Sequence, residues 1–468
     1  MAFDHRKPAA VSSRRNFLKA VGSTSLAAGA PLVLPDTVFG RLAPSNRINV
    51  GVIGLGTRGI PDMKLFMRND DVQIRAICDV NTASKGYRDE EITMGREPAL
   101  KIVNEHYGAK RKSGSFQGVN AYNDFRRILE RDDIDAVAIV VPDHWHASMT
   151  IMAAQAGKDI FCQKPLTLTI SEGQQMIKAV RQHQRILQTG SQYRSHARAR
   201  HACELVLNGR IGQLKTIRIY IGYNNKVGPG QAWKPMPVPD GFDYDLWLGP
   251  APRVPYHVKR CIYKFRFIRD YSGGQITNLG AHSIDIAQWG NGSSLSGPIE
   301  VEGLHGQWPP EGSLFNTALE SKFRARYANG VELIGESSDR DMGLRFEGTE
   351  GWIDFTLGGR FQASSPSLET EVIGSNEIRL PVSNPERTFE EPGNYYADQI
   401  RNFLDSVKSR QEPLEPVEVG HRSATVCHLW NIAIQHKGTK LAWDPEREEF
   451  INHEKANSMR TRPARDWV

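Results

Sequence analysis

The sequence predicts an α/β chain of two domains: a doubly wound parallel sheet, followed by an α+β domain with a large, mostly antiparallel open sheet. Three observations predict it. Apolar strand-like runs at Ile48–Ile53, Val72–Cys78, Asp135–Val141 and Asp159–Cys162 are separated by longer, partly helix-patterned segments, the alternation expected of parallel strands with crossovers. Beyond residue 190 the pattern becomes a series of short strand-like runs broken by glycine-containing turns, which favours antiparallel pairing. Finally, 468 residues exceed what one hydrophobic core usually organises. The expected division is 1–44 as a targeting segment and linker, 45–190 as the first domain and 191–468 as the second.

Composition removes several functional classes. With 59 basic against 53 acidic residues the formal net charge is only +6, and basic and acidic side chains alternate in stretches such as Glu446-Arg447-Glu448. That is a solvated mixed surface, not a nucleic-acid site. The five cysteines, Cys78, Cys162, Cys203, Cys261 and Cys427, are scattered and contain no Cys-x-x-Cys pair, so neither a disulfide framework nor a zinc ribbon can be read.

At the N-terminus, Ser13-Arg14-Arg15-Asn16-Phe17-Leu18-Lys19 precedes an uncharged stretch from Ala20 to Leu34. A charged region with paired arginines before an apolar one matches a twin-arginine export signal. These fifteen uncharged residues fall short of the roughly twenty that span a bilayer. The expected location of the mature protein is therefore periplasmic or otherwise extracytoplasmic, with the twin-arginine translocase as a transient partner and no membrane span remaining.

The strand from Ile48 runs into Gly54-Leu55-Gly56-Thr57-Arg58-Gly59, after which Met63, Phe66 and Met67 recur at helical spacing. Strand, glycine turn and helix in this order form the dinucleotide-binding fingerprint of a Rossmann domain. Gly54 permits the tight turn, Gly56 admits a pyrophosphate to the backbone, and Gly59 allows close packing of helix on strand. The loop residues Thr57 and Arg58 join them as cofactor contacts. Asp79 closes the second strand 20 residues beyond Gly59, the spacing of a ribose-hydroxyl acceptor. Its carboxylate would repel a 2′-phosphate, so NAD is favoured over NADP; Arg58 is the residue by which NADP could still be held.

The next strand closes in Pro142-Asp143-His144-Trp145-His146-Ala147, a turn expected to border the nicotinamide because ligands gather at the carboxyl ends of parallel strands. Pro142 and His146 are thus cofactor candidates. His144 and His146 lack the Cys or Glu companions of a metal centre, and no metal is expected.

Asp159-Ile160-Phe161-Cys162 leads into Gln163-Lys164-Pro165-Leu166; farther on come Asp270-Tyr271-Ser272-Gly273-Gly274 and Asn278-Leu279-Gly280-Ala281-His282-Ser283-Ile284-Asp285. With these motifs the sequence resembles the Gfo/Idh/MocA family of sugar and cyclitol dehydrogenases, from about Ile48 to Gly290. The resemblance implies that Lys164 stands beside the nicotinamide with a cis-proline behind it, and that Gln163 replaces a family glutamate. It also implies that Asn278 replaces a family aspartate, so that two carboxylates usual in the site are missing. The stretch from Gly420-His421-Arg422-Ser423 to Trp443-Asp444-Pro445 is similar to a secreted subgroup.

The residues themselves carry compatible chemistry. Oxidising a secondary alcohol with NAD needs a base for the hydroxyl proton, a donor that polarises the oxygen, and a fixed approach of carbinol to nicotinamide. Lys164 and His282 can supply the first two, with Asn278 as an orienting group. If residues 278–289 form one helix, Asn278, His282, Asp285 and Trp289 share a face. Lys164, Tyr193, Asn278 and His282 are the candidate substrate contacts, and Gln163 and Lys164 also border the cofactor.

The second domain is expected to hold a helix near Ala199–Leu207 and strands near Leu214–Tyr223, Ile299–Leu304, Phe323–Tyr327, Val331–Ile334, Leu344–Glu347 and Trp352–Phe355. The loop from Lys226 to Phe267, with Trp233, Tyr244, Trp247, Tyr256 and Tyr263, is either a sugar-stacking wall or a proline-ordered packing arm. By resemblance the sheet serves self-association, so a homo-oligomer is implied.

Export in the folded state suits a tightly bound cofactor, which must regain its starting redox state in each turnover. Three functions fit: an NAD(P)-dependent oxidoreductase on a secondary alcohol of a sugar, glycoside or cyclitol; an NAD-dependent glycoside hydrolase or lyase working by transient oxidation; and a non-catalytic nucleotide-bound sugar sensor.

Overall fold

The glycine turn begins where a buried strand ends, and this strand is the centre of the first sheet. The computed structural model describes residues 46–87, 91–223 and 228–467. The expected export segment, residues 1–44, lies outside the described residues. Strands β1 (Ile48–Ile53), β2 (Val72–Cys78), β3 (Asn120–Tyr122), β4 (Ala136–Ile139), β5 (Asp159–Cys162) and β6 (Leu187–Thr189) form a sheet in the order β3-β2-β1-β4-β5-β6. Every pairing is parallel. In β1, β4 and β5 nearly every residue is buried, as a sheet covered on both faces requires. The order reverses between β1 and β4, and there the carboxyl ends splay to leave a crevice.

Helices α1 (Gly59–Met67), α2 (Arg96–Ala109), α3 (His146–Gln155) and α4 (Ile170–Gln182) make the crossovers. Helix α4 starts at a capping box, in which Thr169 Oγ1 accepts from the Glu172 amide and the Glu172 carboxylate accepts from the Thr169 amide. This fixes the direction in which the chain leaves Pro165. The sequence reading lacked β3 and β6, each of three residues, too short to show a period.

Helix α5 (Ala197–Leu207) leads into the second sheet, whose strands are β7 (Leu214–Ile221), β8 (Glu300–Gln307), β9 (Glu320–Arg326), β10 (Glu332–Ser337), β11 (Gly343–Gly348), β12 (Trp352–Thr356), β13 (Phe361–Ala363), β14 (Lys440–Asp444) and β15 (Glu449–Phe450). Their order is β13-β12-β11-β7-β10-β9-β8-β14-β15, antiparallel except for the β7–β10 pair. Strict alternation along β9 buries Ser321, Phe323 and Ala325 and turns Lys322, Arg324 and Arg326 outward. Helices α5, α6 (Gly280–Gly290) and α8 (Val417–Ala433) cover the inner face, with Trp430 stacked on Phe323 at 5.4 Å.

The later chain returns to the first sheet. Helix α7 (Tyr395–Ser409) sets Phe403 against Phe66 and Phe161, ring centroids 6.2 and 5.8 Å apart, all three fully buried. Near the C-terminus, Trp467 packs on Phe125 and Trp145. Burying each such ring contributes about 2–3 kcal/mol, so the two sheets and their covering elements form one unit from 48 to 468. Among the described residues no helix is long and apolar enough to cross a membrane.

Candidate active site

The crevice at the β1–β4 switch point opens into a cleft of about 270 Å³. One wall is backbone. Gly54 has φ +90°, and a Cβ there would lie 2.3 Å from the Val140 carbonyl oxygen. A Cβ on Gly59 would lie 1.9 Å from the Gly54 carbonyl oxygen, so Gly59 sits beneath the turn and not in the cleft lining. Only glycine fits either position. Gly56 faces the ring of Tyr87. Helix α1 begins here without a side-chain cap; its Ile60 amide donates to the Gly56 carbonyl at 3.2 Å and Pro61 carries no N–H.

Asp79 stands at the end of β2 with one carboxylate oxygen accepting from the Leu55 amide (2.6 Å) and the other from the Asn81 amide (2.8 Å). Burial raises its pKa to about 6 despite those bonds. Thr57 and Arg58 also line this wall. The Arg58 guanidinium is committed elsewhere: it donates to the buried carboxylate of Asp62 and lies 4.3 Å over the ring of Tyr396. Arg58 is thus paired within the protein, in keeping with the preference for NAD. Glycines that bring backbone to the ligand, an uncapped helix start and a carboxylate at the ribose position together form a donor and acceptor set that fits NAD.

Gln163 has an explanation that sequence reading missed. Its Nε2 donates to Asp62 at 2.8 Å, across 101 residues of sequence, while its Oε1 faces the Lys164 amide at 3.3 Å. A glutamate at 163 would oppose Asp62 charge to charge. The carboxylate beside Gln163 is that of Asp62 on α1, behind the cleft lining, and burial raises its pKa. Only an aspartate three residues after Gly59, facing inward on a helix, hinted at this.

Lys164 follows β5 through a peptide bond to Pro165 that is cis. Its Nζ donates to the Asn278 carbonyl oxygen at 2.6 Å and approaches Asn278 Oδ1 at 3.4 Å. Burial, then the charges of Arg266 and Arg58, lower its pKa to about 8. Asn278 Nδ2 donates to Gln275 Oε1, which turns the amide oxygen toward the lysine.

The expected single helix face does not form. A short helical turn, Gln275–Asn278, ends at Leu279, and α6 restarts at Gly280. The His282 amide donates to Leu279, which leaves the Asn278 carbonyl free for Lys164. Asp285 points away from the cleft, taking three hydrogen bonds from the buried Arg194 and one from Ser423, and Trp289 lies 5.1 Å beneath Arg194. His282 does line the cleft; its Nδ1 is buried without a protein partner. Burial and the neighbouring cations hold its pKa well below the usual value, so the imidazole is neutral.

Pro142, Gln163, Lys164, Asn278 and His282 thus meet in one cleft with the glycine turn. His146 and Tyr193 lie behind its wall. The His146 ring nitrogens face the carbonyls of Pro165 (2.7 Å) and Val141 (2.9 Å), joining the two turns that carry Pro142 and Lys164. Tyr193 donates to the Leu357 carbonyl and packs edge-on against His282, ring centroids 5.1 Å apart. Both are positioning residues in this geometry. The loop read as either wall or arm is mostly arm: Trp247 and Tyr256 are core residues, and Trp233 packs with Arg260. It still gives the cleft Phe242, Leu246, Trp247, Ile262, Phe265 and Arg266.

Fold and cleft together define an NAD-binding oxidoreductase. The chain matches the family description "Oxidoreductase family, NAD-binding Rossmann fold" over residues 48–191 and "Oxidoreductase family, C-terminal alpha/beta domain" over 199–468, and so belongs to the Gfo/Idh/MocA oxidoreductase family. Among curated proteins, 189 residues are 33% identical to the alpha-N-acetylgalactosaminidase of Shewanella oneidensis, covering 37% of this chain and 38% of that protein. A glycosyl hydrolase family 109 protein of a Shewanella species is 36% identical over 173 residues, 34% of this chain and 35% of its own length. The match therefore spans well under half of these relatives. In fold, the chain is similar to levoglucosan dehydrogenase in complex with NADH and levoglucosan (TM-score 0.58, 18% identity, 85% of this chain and 99% of that one). It is also similar to aldose-aldose oxidoreductase from Caulobacter crescentus (TM-score 0.56, 19% identity, 85% and 99%).

Proposed function

We propose that the protein oxidises a secondary alcohol of a sugar, glycoside or cyclitol with a tightly held NAD. The observation that carries this reading is Lys164: an amine whose pKa is drawn down to about 8, held by Asn278 at the carboxyl end of β5 and facing the nucleotide turn across the cleft. When bound, NAD supplies the two-electron oxidant for the carbinol carbon. Near neutral pH an amine of this pKa exchanges protons readily, so neutral Lys164 takes the hydroxyl proton at Nζ and ammonium Lys164 returns it. Neutral His282 offers a ring nitrogen to the same oxygen, and Tyr193 fixes its ring. The Arg194–Asp285–Ser423 cluster holds α6, and with it His282, in place.

A second reading, glycoside cleavage through transient oxidation, is favoured by the names of the curated relatives. In that case the same proton transfers run forward and back within one turnover. One experiment separates them: the purified protein is given sugars and aryl glycosides while bound-nicotinamide absorbance and free aglycone are followed. The oxidoreductase predicts a lasting absorbance rise with the substrate. Aglycone release with no net absorbance change would instead establish cleavage.

We further propose that the paired arginines Arg14 and Arg15 direct export of the folded, cofactor-loaded chain. Self-association would use the outer face of the second sheet, where cross-strand pairs such as Arg324–Glu302 and Arg218–Glu347 make a charged but self-neutralising surface. Equilibrium sedimentation tests the oligomer, and fractionation of cells expressing Arg14→Lys/Arg15→Lys tests the export.

A further inference from the structure

Arg266 is not used by the chemistry above, yet its guanidinium lines the same cleft. It lies between two rings, 4.5 Å from the centroid of Tyr263 and 4.6 Å from that of Phe265. One terminal nitrogen donates to the Tyr263 carbonyl at 2.8 Å. Stacking and this bond hold the fork in one orientation, while its Nε and second terminal nitrogen take no protein acceptor among the described residues. Burial lowers its pKa, though a guanidinium keeps its charge in proteins, and it lies close enough to Lys164 for that charge to act there.

The charge balance of the cleft points the same way. Arg58 is neutralised by Asp62, Asp79 belongs to the nucleotide wall, and His282 is neutral. Among the described residues, the remaining charges of the cleft are Lys164 and Arg266 against Asp143. Asp143 makes no ion pair with either, and its carboxylate accepts the Ser272 hydroxyl at 2.5 Å. Gln163 and Asn278 are uncharged. Asp143 acts on Arg266 without forming an ion pair, so a ligand carboxylate that met the fork directly would offset the cost of its burial.

Building on the redox reading of this cleft, we propose that the substrate carries a carboxylate, as a hexuronate or aldonate residue does, and that the Arg266 fork receives it. A planar carboxylate meets the two free N–H directions of a guanidinium side by side, which a sugar hydroxyl cannot. The ring faces of Tyr263 and Phe265 prevent the fork from turning away. Specificity then rests on a single pair: a neutral hexose leaves the half-buried guanidinium without a directly bonded anion.

The test uses the full-length protein with its bound nucleotide. Binding of methyl glucuronide and methyl galacturonide is measured by titration calorimetry against the methyl glycosides of glucose and galactose, and bound-nicotinamide absorbance is followed in parallel. At least one acid is expected to bind about 10- to 100-fold tighter than its neutral counterpart, the range of a charged hydrogen-bonded pair. Arg266→Gln should erase that preference, while Arg266→Lys, keeping charge but not fork, should retain part of it. Equal or tighter binding of the neutral sugars, no binding of either class, or a preference that survives Arg266→Gln overturns the proposal. If neutral sugars reduce the nicotinamide, the redox reading stands and the carboxylate pocket falls. If acids bind in an Arg266-dependent way without redox change or aglycone release, the pocket stands and the redox reading falls.

Discussion

The two walls of the cleft are built in different ways. The nucleotide wall is backbone: Gly54 and Gly56, with Gly59 packed beneath the turn and Asp79 tying it down through the Leu55 and Asn81 amides, all within one β-α-β unit. The other wall is side chain: Lys164, Arg266, Asn278 and His282 arrive from separate elements and meet only in the folded protein. Gly54 and Gly59 accept no added atom, because neighbouring carbonyls already occupy the space, and Gly56 is closed by the Tyr87 ring. The second wall can exchange one group for another without disturbing either sheet, as Gln163 and Asn278 do. A scaffold of this kind fixes its cofactor and leaves its substrate free to vary.

The sharpest way to break the contrast is one substitution on each side of the cleft. Gly59→Ala places a carbon 1.9 Å from the Gly54 carbonyl oxygen, so retained nucleotide should fall at least about tenfold. Nucleotide released on denaturing the purified variant measures it. Lys164→Met should act the other way round: turnover falls by about 10²–10⁴-fold, the range of a lost acid–base group, while bound nucleotide stays near the wild-type amount.

A smaller effect follows from pH. Lys164 must be neutral to take a proton, and with its pKa at about 8 the oxidation rate should rise with pH and level off above that value. Asn278→Asp places a carboxylate beside the ammonium, favours the charged form and should move this limb to higher pH. A limb that does not move would remove Lys164 from the proton transfer.

The smallest effect is on stability. Glu415 is buried beside Asp285, and burial followed by that neighbouring charge raises its pKa well above the usual carboxylate value. A raised pKa contributes stability that is complete below the unfolded value, near 4.3, and is lost as pH rises through the folded value. Glu415→Gln should therefore stabilise the protein by about 1 kcal/mol at pH 8 and by nothing near pH 4, as read from urea midpoints at the two pH values.

The same contrast decides what could be read from sequence. Ile48–Ile53, the glycine turn and Asp79 were legible because their spacing is local and each residue type answers a backbone constraint. Lys164 and His282 were legible through motifs at strand and helix ends. Asp62 and Arg266 were not, because their roles exist only across space: Asp62 gains meaning from Gln163, and Arg266 lies in a loop whose aromatic content drew attention instead. Asn278 was noticed for the wrong geometry, since the helix break at Leu279 that exposes its carbonyl leaves no periodic trace. Strands β13 to β15 escaped because they are short, although β13 and β15 pair with the strands just before them in the chain.

The central claim is that this cleft holds NAD and uses it on a carbohydrate alcohol. Mass spectrometry of the ligand released when the purified protein is denatured tests it most directly, provided bound-nicotinamide absorbance is recorded first with a panel of neutral and acidic sugars. The account predicts close to one NAD per chain and an absorbance rise with at least one sugar that Lys164→Met abolishes. NADP in place of NAD, no nucleotide, or a rise unaffected by Lys164→Met would contradict it.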